Sequence, residues 1–218
     1  MQFLNNLSVR AKISVNSGLL ILLMLAGSFY AINSMSLIGE ELVAIAEQDI
    51  PLTENITRIT EHQLEQAIHV ERAVRYAILI DREPHALKSF KKEAAYFETL
   101  DKKVKEEILE GEHRAEEAMN NALSEKDKDK FTSVLASLKN LEIEHKGFSA
   151  HVREAFAVLR QGDIHKGELL MEKIEKEEDQ LTHELETLLG EIQAFTQETA
   201  LKAEHHEIEA LNILITLF

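Results

Sequence analysis

Cysteine and tryptophan are absent from this 218-residue chain, and only two prolines and eight glycines interrupt it. Without cysteine there can be no disulfide framework, thiolate metal site, CxxC redox pair, covalent c-type haem or cysteine nucleophile. With so few helix breakers, long uninterrupted elements are expected. Cations are also scarce: 24 Lys+Arg face 39 Asp+Glu, for a net charge of −15. An excess of that sign opposes general binding to nucleic acid. No glycine-rich phosphate loop, nucleophile elbow or HExxH string occurs, so the sequence argues against an enzyme and asks for no cofactor.

The charge is unevenly placed. Before Glu40 the only charged residues are Arg10 and Lys12. Directly after them, Ile13 to Ile32 (ISVNSGLLILLMLAGSFYAI) is uncharged. Its helical length, at ~1.5 Å per residue, matches a hydrocarbon core of ~30 Å. Arginine and lysine before the span place the N-terminus in the cytoplasm and everything after Asn33 outside. A cleaved signal peptide is the rival reading, with a small-residue site at Ala26-Gly27-Ser28. The apolar run continues past that site through Phe29 and Tyr30, which favours an uncleaved anchor. At the other end, Ala210 to Phe218 (ALNILITLF) is again uncharged. At ~14 Å as helix it is too short to span and reads as the start of a truncated second transmembrane helix. The alternative is a last amphipathic turn of a soluble helix. The expected organisation is a cytoplasmic segment 1–12, a transmembrane helix 13–32, an external body 33–209 and a membrane segment 210–218.

Three breaks divide the body. Asp81-Arg82-Glu83-Pro84 reads as a turn with Pro84 in the first turn of the next helix. Ser124 to Asp129 is polar and rich in N-cap residues. Gln161-Gly162-Asp163 joins a helix-ending glycine to a helix-starting aspartate. The stretches between them carry apolar seams at helical spacing, for example Phe131, Val134, Leu138, Leu141, His145, Phe148, Val152, Ala155 and Leu159. Similar seams run from Leu87 to Ala122 and from Ile164 to Phe195, and a messier one includes Ile38, Leu42, Ile45, Asp49, Leu52, Ile56 and Ile59. No strand alternation appears. The pattern predicts an all-α fold, an antiparallel up-down-up-down four-helix bundle extending from a transmembrane helix. Pro51 predicts a kink or local break near Asp49 to Leu52.

The basic leader Leu7 to Ile13 (LSVRAKI), the membrane helix, the helical body and the second membrane segment together resemble the sensor half of bacterial chemoreceptors, the methyl-accepting chemotaxis proteins. The strings Asp49 to Glu54 and Gln63 to Arg72 are similar to the first bundle helix of such receptors. The resemblance implies an inner-membrane protein with a periplasmic ligand-sensing bundle that works as a homodimer. Its stimulus would be a small molecule, anionic if arginines bind it, or a periplasmic binding protein. It also implies a shift of the last helix against the first of about 1–2 Å. No HAMP module or methylated cytoplasmic hairpin is present, so kinase control lies outside these residues. Related modules also feed histidine kinases and cyclases. A membrane-anchored periplasmic bundle that binds a metal or small cofactor is the other class.

Two places could hold a ligand. Arg72, Arg75 and Tyr76 lie within about a turn of each other near the membrane-distal loop. A guanidinium fork suits a carboxylate, and the chemoreceptor resemblance favours arginines on this helix. The plain alternative pairs them with Glu65 and Glu71 on a solvated face. The second place is a polar layer. Gln63, Asp101, His145 and Glu178 occupy seam positions that should be apolar, one on each helix and near one level, with Gln66 and His62 close in height. Such a layer could bind a divalent metal or a small polar ligand. It could equally be a water-containing hydrogen-bonded layer that fixes register, with Glu178 and Gln63 reaching the rim. His205-His206, beside the second apolar segment, reads either as a pH sensor or as a solvated face.

Overall fold

A computed structural model describes residues 8–217; Met1 to Leu7 of the expected cytoplasmic segment and Phe218 of the second apolar segment lie outside them. Every regular element among the described residues is helical: α1 (Val9–Ala44), a π-helical turn (Ile45–Asp49), α2 (Ile50–Ile78), α3 (Ala86–Asn120), α4 (Glu125–Arg160) and α5 (Ile164–Leu217). The all-α expectation holds. The chain forms two compact units, Met1–Ala46 with Gln197–Phe218, and Glu47–Thr196. The expected body 33–209 therefore takes in the whole second unit and parts of the first.

The breaks follow local chemistry. Proline lacks the N–H an α-helix needs and its ring crowds the carbonyl four residues back. Here the chain runs into Pro51 through the π-helical turn, whose widened hydrogen-bond ladder accommodates a residue with no N–H. Pro84 sits earlier than expected, in the turn before α3 rather than in the helix. Helix α4 likewise starts earlier than its polar leader suggested, because the Ser124 hydroxyl accepts the Asp127 N–H at 3.1 Å and caps the helix. Gly162 takes φ +84°, the left-handed conformation that ends α4. The Asp163 carboxylate then accepts the Lys166 N–H at 3.1 Å to open α5.

The second unit holds the core. Leu52, Ile56 and Ile59 of α2 are fully buried with Phe97 and Ile108 of α3, Leu138 and Phe148 of α4, and Ile174, Leu181 and Leu185 of α5. Phe156 packs edge-on to both Phe90 and Phe97, with centroids 5.7 Å apart in each pair. Cross-helix bonds fix direction. Arg58 and His69 of α2 reach Glu110 and Glu93 of α3, so position rises on one helix as it falls on the other. Ser149 and Arg153 of α4 reach Asp101 and Glu98 of α3 in the same reversed order. His151 and Asn140 of α4 reach Glu177 and Glu184 of α5 likewise. These pairs run in reversed order from each helix to the next, as an up-down arrangement requires.

In the first unit α1 lies against the C-terminal part of α5. Gly27, Ala203 and Ala210 are buried, small residues that permit close approach. The large apolar residues of α1, including Leu19, Leu22, Leu25 and Phe29, are exposed. The helix running from Val9 is long and apolar enough to cross a membrane, and only 6% of its most apolar window is buried.

Candidate ligand-binding sites

The outer end of α2 presents Arg72 and Arg75 to solvent, while Tyr76 is half-buried and packs on the core. Neither arginine makes a hydrogen bond or ion pair among the described residues. Glu71, the alternative partner, instead lies beside Glu178 of α5, whose carboxyl is pushed up first by burial and then by Glu71, Asp179 and Glu175. Positions three and four apart share one helix face, so Arg72 neighbours both Arg75 and Tyr76, while Arg75 and Tyr76, one apart, diverge by about 100°. The last turn of a helix also favours cations.

The polar layer divides. Gln63, Asp101 and His145 are all buried, and the His145 imidazole stands 4.0 Å from the Asp101 carboxylate. Glu178 does not join them; it is half-buried near Glu71, about one turn away from the level of His145. Gln66, noted in sequence only for its height, does join. Its amide oxygen contacts His145 Nε2 at 3.1 Å, so with this amide orientation Nε2–H donates and Nδ1 is a bare lone pair. Burial pushes His145 down to about 4; Asp101 pulls the other way, and Lys105 and Arg153 press it further down. The imidazole is therefore neutral near pH 7.

Asp101 is occupied. Ser149 donates to one carboxylate oxygen; Arg153 at 2.6 Å and Lys105 at 2.9 Å donate to the other. Arg153 also makes a bidentate pair with Glu98 at 2.9 and 2.8 Å. With two permanent cations on the carboxylate, the layer is poorly disposed toward a metal ion. Among the described residues no group of three or more His, Asp or Glu side chains is placed to hold one. What the layer offers is unmet hydrogen bonding: Gln63 Nε2, Gln66 Nε2 and His145 Nδ1 are buried without partners. Two donors and one acceptor suit water or a small neutral polar group. Ser149 and Arg153 were missed in sequence because each is one position past a seam residue, Phe148 and Val152.

A groove of about 530 Å³ runs between α4 and α5, lined by Ser137, Asn140, His183, Glu184, Thr187 and Glu191 among others. Glu144 and Glu184 lie against each other beside it. Burial and then Glu184 push the Glu144 carboxyl up, while Asn140 and Gln180 partly offset this by hydrogen bonding. None of the sequence-predicted site residues lines the groove.

His205 and His206 also separate. His205 pairs on the surface with Glu209 at 3.2 Å, whereas His206 crosses to Glu41 of α1 at 3.0 Å. No family model matches this chain, and neither does any curated protein or solved structure.

Proposed function

We propose that this chain is the ligand-sensing region of a transmembrane chemoreceptor. In this reading α1 anchors the protein in the bacterial inner membrane with its N-terminus inside. The periplasmic body is an up-down-up-down four-helix bundle that acts as a homodimer. The stimulus is a small anion captured at Arg72, Arg75 and Tyr76. A receptor needs to move one helix against another, and it can do so only if the ligand binds two packings with different affinity.

The observation that carries the reading is α1 itself. Its large apolar side chains from Ile13 to Ile32 are almost all exposed rather than packed, whereas α2, α3 and α4 each bury a continuous apolar seam. Soluble monomers rarely expose so continuous an apolar surface, and a lipid phase accounts for it. The antiparallel pairing of α2 to α5 supports the bundle, and the unpaired arginines support an anionic ligand.

The test joins residues 1–218 to the cytoplasmic half of a chemoreceptor of known output and measures kinase activity against amino acids, dicarboxylates and divalent metals. A response to a carboxylate that disappears in Arg72→Ala/Arg75→Ala is expected. A response that survives the double change removes the arginine site. A reporter fused within 33–209 that is active only in the cytoplasm removes the receptor reading itself.

A further inference from the structure

Among the described residues, two buried carboxylates have a single partner each, and in both cases it is an imidazole from another helix. Glu93 of α3 is 8% exposed and meets His69 of α2 at 2.6 Å. Glu41 of α1 is 7% exposed and meets His206 of α5 at 3.0 Å. Neither carboxylate has another hydrogen bond or ion pair among the described residues. The first pair lies within the second compact unit and the other within the first.

Asp101 shows the contrast. That carboxylate is more deeply buried and is held by Arg153 and Lys105, cations that stay charged at every physiological pH. Burying a carboxylate is costly unless charge and hydrogen bonds compensate it. A neutral imidazole offers the Glu93 or Glu41 carboxylate a hydrogen bond with no opposite charge behind it. A protonated one keeps that bond and adds an opposite charge, which compensates the buried carboxylate more fully. Histidine is the side chain whose charge changes across the physiological range.

We propose that Glu93–His69 and Glu41–His206 are proton-operated clasps, so that the packing of α2 on α3 and of α1 on α5 tightens as the pH falls. The surroundings fit a cationic imidazole. The His69 ring stacks on Tyr96 of α3, with centroids 4.9 Å apart, and an aromatic face attracts a cation. Lys92 of α3 lies over that same tyrosine at 5.5 Å and opposes the charge. On α2 itself, Glu65 and Arg72 flank His69 by about one turn and oppose each other in sign. Around His206 the charged neighbours are Glu40 beside Glu41 on α1, and Lys202, His205 and Glu209 on α5, with His205 engaged to Glu209. His151 is excluded from the proposal. Lys173 lies 2.7 Å from its Nε2 and occupies that lone pair, so a second proton there meets a cation.

A contact that tightens on protonation stabilises the folded chain as the pH falls through the imidazole range. His145 works against this below neutrality, and the buried carboxylates Asp49 and Glu178 work with it, so the clasps are read as a difference between proteins. Thermal melts of the full chain in detergent are compared at pH 8.0 and 6.0 for the wild type and for His69→Gln/His206→Gln. The wild type is expected to gain roughly 2–4 °C per clasp more than the double variant on acidification. Equal gains in both proteins overturn the proposal. Should the histidine variant fail to fold, Glu41→Gln/Glu93→Gln keeps the shape and removes the charge, and the same loss of pH response is expected. A wild-type pH response that persists there overturns the proposal too. These outcomes do not depend on the receptor reading, which the chimaera tests separately.

Discussion

Replacing Arg153 with alanine tests whether the polar layer is held by charge. Asp101 is 2% exposed, and Arg153 supplies its shortest cation contact, 2.6 Å. Removing one partner of a buried ion pair costs about 3–5 kcal/mol. Two features lower that figure here. Lys105 and Ser149 still serve the carboxylate, and the Arg153 side chain is itself 40% exposed. About half the full cost is appropriate, or ~2 kcal/mol. The exposed pair with Glu98 and the contact over the Phe97 ring at 5.9 Å add no more than ~1 kcal/mol together.

Urea unfolding of the full chain in detergent, followed by far-UV circular dichroism, should therefore show Arg153→Ala weaker by ~2–3 kcal/mol at pH 7. The melt should fall by ~4–12 °C. In an Asp101→Asn background the same change should cost ~1 kcal/mol or less, since no buried charge is then left stranded. The pH profile gives a second reading. Burial pushes Asp101 up, yet Ser149, Lys105 and Arg153 together hold its carboxyl below the usual range. A depressed carboxyl contributes stability that is present above its ordinary range and lost as the pH falls through its folded value. Arg153→Ala should move that acid loss to higher pH. A cost below ~0.5 kcal/mol, or an equal cost in both backgrounds, would refute the argument.

Three further outcomes are expected. Burial pushes Asp49 up to about 6, with the Thr196 hydroxyl and Lys130 pulling it down and Asp127 pushing it up. A raised carboxyl favours folding only while protonated, so stability falls as pH rises from about 4 to about 6, and Asp49→Asn should stabilise by about 1–3 kcal/mol at pH 7.5 and by nothing at pH 4, measured in urea. His145 has the opposite sign: the unfolded chain holds the proton better, so stability falls with pH below ~6.5, and His145→Gln should remove that part of the acid limb in the same assay. Gly111→Ala places a methyl 2.5 Å from Asn55 Oδ1 and 3.4 Å from Leu138. Because Asn55 is fully buried and bonded to the Glu107 carbonyl at 3.0 Å, it cannot yield freely. Despite the better helix propensity of alanine, the melt should drop by an amount equivalent to about 1–2 kcal/mol.

Seam arithmetic located the core well where a helix is packed along its whole length. All nine positions from Phe131 to Leu159 in α4 are buried. It did less well at helix ends and near the membrane segment. Leu87, in the first turn of α3, is 39% exposed, and Leu42 of α1 is 54% exposed. A heptad count drifts about 20° per repeat against a straight α-helix, and a π-helical turn resets the phase altogether. The turn at Ile45–Asp49 therefore separates the messy seam before it from the clean run of Leu52, Ile56 and Ile59 after it. Proline at position 51 announced a disturbance, but a sequence does not distinguish a kink from an inserted residue.

The candidate sites were legible in proportion to how far each depends on position along one helix. Arg72, Arg75 and Tyr76 needed only helical spacing; the structure leaves both arginines in solvent and packs Tyr76 on the core. The layer needed heights on four helices, and an error of three residues was enough to misplace Glu178. More instructive is what fills a polar seam position once it is buried. Asp101 recruits Arg153 and Lys105 from just beside the seams, which makes its charge permanent and closes it to a metal. Gln63, Gln66 and His145 recruit nothing more, leaving two amides and a ring nitrogen unmet. Glu41 and Glu93 each recruit one histidine and no permanent cation. A composition count sees ten histidines in an acidic chain. Only the pairing shows that His69 and His206 each stand alone against a buried carboxylate from another helix. That arrangement lets a change in solution alter helix packing without any pocket at all.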